Sequence, residues 1–268
     1  MANLIIDVGN TSTAMKFGGQ VYHIDGLFED AAKVALEAFP SAAEVNYVSV
    51  VPERDKQWAA LCAKHGVKFK QVTNDELRIT NGGKKAFLLD YNYPEPETIG
   101  ADRLCDAEAA FAKYGAPAIV MDFGTALTAA VITNPEPRTP NHGVWQGGVI
   151  APGFPLMRDY LFERTAKLPR MELPASAVAG GKTTACAARS PYQVPKSTME
   201  AMKFGAVVGY RGMVREIVAE LKKCYPEVEF KLVATGGFAP VVLKDIGLEF
   251  TIDPELTLDG CELICSRM

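Results

Sequence analysis

Two stretches of the chain repeat one pattern. Leu4-Ile5-Ile6-Asp7-Val8-Gly9-Asn10-Thr11 and Ala118-Ile119-Val120-Met121-Asp122-Phe123-Gly124-Thr125 each run an apolar stretch into Asp-x-Gly closed by threonine. The apolar run reads as a buried strand, the Asp stands where that strand leaves its sheet, and the glycine removes a Cβ that would hold a ligand off the backbone. The threonine adds a hydroxyl and an amide for an anion. A carboxylate beside a phosphate repels it unless a cation lies between them, so the pattern points to phosphate chemistry with Mg²⁺ or a similar hard ion. One copy alone reads as an ordinary Asp-Gly turn. Two copies favour phosphate-facing turns on related halves, with a nucleotide in the cleft between the halves.

Two more constellations fit that chemistry. Thr235-Gly236-Gly237 follows an apolar strand and precedes an apolar helix, which presents unhindered amides to an anion or to a nucleotide's sugar and phosphates. Gly100-Ala101-Asp102-Arg103 follows a proline-rich loop and opens a helix. An Asp in a first helical turn is at least a favourable charge at the dipole's positive end, worth ~0.3 to 1 kcal/mol. With Arg103 beside it, the carboxylate can accept an alcohol's proton while the guanidinium grips an acidic group on the same small molecule. Asp106 and Glu108, further along that helix and without a breaker or glycine beside them, read as solvated positions.

The elements that must carry these residues alternate in type. Strands at 13–17 and 21–24 flank the hairpin glycines Gly18-Gly19. A helix over 30–39, a strand over 45–51, a helix over 54–65 and a strand over 67–72 follow. Residues 74–99, with Asn81-Gly82-Gly83 and Pro94-Glu95-Pro96 as breakers, read as loop and as the seam between halves 1–99 and 100–268. Beyond it come a helix over 101–114, the second Asp-x-Gly strand with a partner over 127–133, a strand over 147–153 and a helix over 156–168. The longest helix runs from Ser197 to Tyr225 and opens with the capping-box pattern Ser197…Glu200. Its Gly205 and Gly209 suit packing against another helix, in this chain or a second copy. A last core strand spans 231–234.

Composition narrows the classes. At 268 residues and 48% hydrophobic content, the chain is long and apolar enough for a compact α/β protein. A net charge of −4, from 28 basic and 32 acidic residues, leaves no footprint for nucleic acid and no polybasic membrane patch. The sequence enters its first strand without an export-signal pattern, and no apolar run approaches the ~20 residues of a membrane span. Six cysteines without a C-x-x-C pair and three scattered histidines read as reduced thiols of a cytoplasmic protein, not as a disulfide frame or zinc site.

With these residues in view, the sequence resembles the type III pantothenate kinases, of the acetate and sugar kinase, heat-shock ATPase and actin superfamily. The motifs carrying the resemblance are Asp7-Val8-Gly9-Asn10-Thr11, Tyr93-Pro94-Glu95-Pro96 leading to Gly100-Ala101-Asp102-Arg103, Asp122-Phe123-Gly124-Thr125-Ala126, and Gly147-Gly148-Val149-Ile150-Ala151-Pro152-Gly153. Thr198 with Gly205 and Gly209-Tyr210, Thr235-Gly236-Gly237, and Pro254-Glu255-Leu256-Thr257-Leu258-Asp259-Gly260 complete the set. The resemblance implies duplicated ribonuclease H-like (actin-like ATPase) halves, each a mixed five-stranded-type sheet with flanking helices. It implies transfer of the ATP γ-phosphoryl group to the 4′-hydroxyl of pantothenate, the first step of coenzyme A synthesis. ATP would lie against Asp7, Val8, Gly9, Asn10, Thr11, Ser12, Thr13 and Ala14, with Gly124, Thr125, Gly236 and Gly237. Pantothenate would lie against Tyr93, Gly100, Ala101, Asp102, Arg103 and Thr198, with Asp102 as proton acceptor. Mg²⁺ would accompany ATP at Asp7, a monovalent cation (K⁺ or NH₄⁺) would sit on Asp122, and the enzyme would be a homodimer with substrate near its subunit interface.

The chain departs from the family pattern at three places. Ala130 stands where many members have Asp, Ser197 where members often have Asn, and Ala14 where some have Lys; Lys16, on the same strand face, is either its substitute or an ordinary solvated lysine. Two other readings stand beside the kinase: another small-molecule kinase of the superfamily, and a nucleotide-binding accessory protein without catalysis.

Overall fold

The structure is a computed structural model describing residues 2–25, 31–78, 86–135, 142–171 and 194–268; Asn81-Gly82-Gly83 and Cys186 lie outside them. Its contacts gather into two compact units. One comprises Met1–Ala118, Ile132–Gly147 and Glu255–Met268, the other Ile119–Val131 and Gly148–Pro254.

The first sheet forms because short turns and helical crossovers alternate. Strands Leu4–Val8 (β1), Ser12–Phe17 (β2) and Gln20–Asp25 (β3) make an antiparallel meander, with Asp7 opposite Ala14. Glu44–Ser49 (β4) and Lys68–Gln71 (β5) add in parallel, which requires crossovers, here the helices Ala31–Ala38 (α1) and Pro52–His65 (α2). The strand order is β3-β2-β1-β4-β5. Helix α2 starts on Pro52 with Glu53 and Asp55 in its first turn, and stops at Gly66 in the left-handed region. Leu4, Ile6, Val8, Met15, Val45, Tyr47 and Trp58 form this unit's sheet core, so every residue of β1 except Asp7 is buried.

The second sheet has the order β11-β10-β7-β8-β9-β6. Its strands are Asp90–Tyr91 (β6), Ala118–Phe123 (β7), Ala126–Thr133 (β8), Val144–Pro152 (β9), Lys231–Thr235 (β10) and Thr251–Ile252 (β11). Read from β9 to β11, this repeats the order of the first sheet, with the Asp-x-Gly strand central in both. Helix Ala101–Tyr114 (α3) precedes β7; Phe154–Arg164 (α4), Thr198–Lys223 (α5) and Ala239–Leu243 (α6) separate the later strands, and Leu256–Arg267 (α7) ends the chain. A second core, with Ile119, Met121, Phe123, Phe154, Tyr210 and Val214, fills the other unit.

Sequence periodicity missed some of this. A two-residue strand, β6, lies within the stretch expected as loop; it pairs in parallel with β9, which begins at Val144 and not at Gly147. Helix α4 starts and stops before the expected 156–168. Helix α7 carries no separate signal in the sequence reading, yet it clamps α3. A Cβ on Gly260 of α7 would stand 2.0 Å from the Cys105 carbonyl oxygen, so only glycine permits this approach. Beside it the Thr257 hydroxyl donates to Asp106 Oδ1 at 2.7 Å.

Candidate active site

The first Asp-x-Gly turn is built by its own hairpin. Asp7 is the half-buried residue of β1, and the Gly9 N–H donates to the Ser12 carbonyl at 2.9 Å, which turns Asn10 and Thr11 outward. Val8 and Thr13 are buried in the sheet, while Ser12 and Ala14 are half-buried on β2. Lys16, two residues on, is neither a solvated lysine nor a free substitute for a phosphate contact. It reaches Asp259 Oδ1 at 2.6 Å and Glu255 Oε2 at 2.9 Å on α7, and Lys113 of α3 pairs with the other oxygen of Asp259. Burial pushes the Lys16 pKa down, but these two acids outweigh it and raise it.

In the other unit, Asp122 ends β7 half-buried, Gly124 is half-buried, and Thr125 is exposed. The Thr235-Gly236-Gly237 turn packs directly on this strand end. Gly236 has φ 87°, and a Cβ there would stand 2.3 Å from Asp122 Oδ1 and 2.6 Å from the Phe123 backbone. The Phe238 N–H donates to the Phe123 carbonyl at 3.2 Å, closing the turn. Asp122, Gly124, Thr125, Gly236 and Gly237 therefore share one locality. Thr198 is exposed on the first turn of α5, whose N-cap Ser197 Oγ accepts from the Glu200 N–H at 3.3 Å, as the capping-box spacing requires.

The densest chemistry lies at the start of α3. Gly100 is its N-cap, and Ala101 and Asp102 open its first turn. Asp102 Oδ1 accepts from the Arg103 N–H at 2.8 Å and folds back over Gly100, where a Cβ would meet it at 2.6 Å. Burial raises the Asp102 pKa above the ordinary carboxylate value despite that bond and the neighbouring guanidinium. Arg103 is 91% buried (relative exposure 9%), and its Nε has no hydrogen-bond partner. Its guanidinium carbon lies 5.3 Å from the ring centre of Trp145, whose aromatic neighbours include Tyr93 at 5.1 Å and Tyr91 at 5.7 Å. Tyr93, Asp102 and Arg103 thus meet, as expected, with Trp145 as a member the sequence reading passed over.

The two acids read as solvated are buried instead. Glu108 is fully enclosed, and its carboxylate accepts from Leu88 N–H (2.6 Å), Leu89 N–H (3.0 Å) and Tyr91 Oη (3.0 Å). Asp106 is buried against Thr257. Their helix packs along α7, and its stretch from Arg103 to Phe111 is buried. A helix that buries charge at 103, 106 and 108 signals partners, which periodicity alone does not reveal.

Comparison with known proteins fits this geometry. Structures with the same fold include one described as a Baf family transcriptional activator from Campylobacter jejuni (TM-score 0.58, 18% identity, 98% of this chain and 97% of that one). Another is the activator of the 2-hydroxyisocaproyl-CoA dehydratase from Clostridium difficile, solved with bound ADPNP (TM-score 0.50, 13% identity, 99% and 94%). Together with the repeated strand order, they bear out the expected fold of duplicated ribonuclease H-like halves. In sequence, the chain is 38% identical over 179 residues to a type III pantothenate kinase of Geobacillus thermodenitrificans, covering 67% of this chain and 61% of that protein. It is 42% identical over 173 residues to one of Akkermansia muciniphila, covering 64% and 62%. The matched region thus spans less than two thirds of these curated relatives. The family model for type III pantothenate kinase matches residues 3–220, most of the chain and every site residue considered above except Gly236 and Gly237, and the chain belongs to that family.

Proposed function

We propose that the protein transfers the γ-phosphoryl group of ATP to the 4′-hydroxyl of pantothenate, the entry step of coenzyme A synthesis. One observation carries this reading beyond family membership: a desolvated carboxylate and a desolvated guanidinium stand side by side at the start of α3. A substrate with an alcohol at one end and a carboxylate at the other suits that pair. Phosphoryl transfer passes through a loose transition state in most analyses, so the protein mainly positions reactants and offsets charge. Asp102 orients the hydroxyl and takes its proton, Arg103 holds the carboxylate, and Tyr93, Gly100, Ala101 and Thr198 line the substrate.

ATP is bound by Asp7, Val8, Gly9, Asn10, Thr11, Ser12, Thr13 and Ala14, and by Gly124, Thr125, Gly236 and Gly237. Among the described residues, no group of three or more His, Cys, Asp or Glu side chains could hold a metal by itself. Mg²⁺ in a kinase is held by one or two carboxylates plus substrate phosphates. Asp7 would hold Mg²⁺ and Asp122 a monovalent cation, K⁺ or NH₄⁺; when bound, these ions neutralise phosphate charge. No helix among the described residues is long and apolar enough to cross a membrane. On the resemblance to its family, the protein acts in the cytoplasm as a homodimer. Exposed Phe204 and Val208 on α5, beside Gly205 and Gly209 with open space above them, supply the dimer surface.

A coupled ADP-release assay tests the reading. ADP release that needs pantothenate and rises with K⁺ is expected. Release with other alcohols but not with pantothenate indicates another kinase of the superfamily, and ATP binding without turnover on any alcohol indicates an accessory protein.

A further inference from the structure

Trp145 is a large aromatic side chain with no exposure to solvent, and its indole Nε1–H has no hydrogen-bond partner. It is held from both sides. Its backbone pairs with Tyr91 in the β6/β9 ladder, and its carbonyl accepts from the Asn92 N–H at 2.9 Å, one residue before Tyr93. The next residue, Gln146, accepts from Asn92 Nδ2 through Oε1 at 2.9 Å and donates through Nε2 to Thr133 Oγ1 at 2.9 Å. A ring fixed in this way has one described charged neighbour over its face, the Arg103 guanidinium at 5.3 Å.

The arrangement is informative because of what Arg103 lacks. A buried guanidinium is ordinarily anchored by a carboxylate in bidentate contact. Arg103 has no such ion pair among the described residues, its Nε is orphaned, and its neighbour Asp102 turns Oδ1 toward a backbone N–H. What holds the guanidinium is an electron-rich ring face, an attraction that leaves the N–H fork unoccupied for an incoming anion.

We propose that Trp145 is a positioning residue: its ring face pre-orients Arg103, and thereby sets the enzyme's preference for a substrate bearing a carboxylate over a neutral analogue of the same shape. The proposal rests on the reading that Arg103 grips the substrate's acid. Binding that is lost equally from ground and transition states raises KM and leaves kcat in place.

The test measures kcat/KM for pantothenate and for its neutral analogue, in which the carboxylate is reduced to a primary alcohol. The wild type prefers the acid. Trp145→Leu should lose about 10- to 30-fold of that preference, the range of a desolvated cation–ring contact, through KM for pantothenate, with kcat and KM for ATP within about twofold. Trp145→Phe, which keeps a ring face, should retain most of the preference. Arg103→Gln should abolish it. Should Arg103→Gln abolish the preference while Trp145→Leu leaves it intact, the role of Trp145 is overturned and that of Arg103 stands. Should Arg103→Gln itself keep the preference, Arg103 does not read the acid and both ideas fall. Where Trp145→Leu does not fold, Trp58→Phe leaves Trp145 as the chain's single tryptophan. Its emission should then shift with pantothenate and not with the neutral analogue; an equal response to both, or none to either, overturns the proposal.

Discussion

At Asp102 two effects oppose each other. Removal from water raises the carboxyl's pKa, while the Arg103 N–H and guanidinium lower it, and removal from water is the larger. The result is a base closer to working pH than a surface carboxylate, which favours proton acceptance. Asp102→Asn keeps the side chain's volume and its acceptor for the Arg103 N–H but not its basicity. Turnover should therefore fall ~10² to 10⁴-fold, while ATP binding and the melting temperature hold; near-normal turnover of the folded variant would refute the role. With Asp102 as the proposed proton acceptor the ionised form is the active one, so wild-type kcat should climb as pH rises through the Asp102 pKa, with the midpoint above the ordinary carboxylate value. Asp102 and Arg103 were readable in the sequence because a breaker and a helix start flank them. Trp145 was not, since its value lies in a guanidinium 42 positions away in the chain and not in its neighbours.

Helix α3 shows how one element organises several residues. Its first turn presents Asp102 and Arg103, and its second reaches Glu108, which pins the backbone at Leu88 and Leu89 and the Tyr91 hydroxyl. That segment leads into Tyr93. Glu108→Gln would set an amide N–H₂ against these donors, at a cost of about 1–3 kcal/mol for a buried donor left unmatched. Urea unfolding should register that loss, and KM for pantothenate should rise as Tyr93 loosens. Burial raises the Glu108 pKa, so the native state holds this proton more tightly than the unfolded chain does. Stability from this group is complete below the ordinary glutamate pKa, declines as pH climbs through the raised value, and is flat beyond it; Glu108→Gln should remove that slope. On the opposite side, Gly260→Ala would force α7 off the Cys105 carbonyl. Overpacking of this kind typically costs about 1–3 kcal/mol, and a lower urea midpoint with unchanged steepness is the expected result. The sequence announced α3 by its spacing and stop signals, but the burial of its stretch from Arg103 to Phe111 owes much to α7, too weakly patterned to be read.

For the whole molecule, the proposed dimer makes the exposed face of α5 the critical surface. Val208→Glu, placed beside glycines with open space above them, should yield a species of half the wild-type mass in sedimentation velocity, with reduced pantothenate turnover. An unchanged mass would remove α5 from the interface. Much of the architecture was legible beforehand, because strands, tight turns and helix starts are written in local spacing. Gly18-Gly19 announced a hairpin, Ser197…Glu200 a helix start, and the recurrence of Asp-x-Gly a doubled sheet whose two strand orders then proved alike. Local spacing carries no information about which charge meets which across the chain. Lys16 finds Asp259 across 243 positions, Asp106 finds Thr257 across 151, and Glu108 finds the Leu88 and Leu89 N–H groups and the Tyr91 hydroxyl. The sequence by itself therefore determined the elements and the chemistry at their ends. Only the tertiary structure decided which acids are desolvated, which lysine is already paired and which ring supports the guanidinium, because desolvation and pairing arise from segments that become neighbours only when the chain has folded.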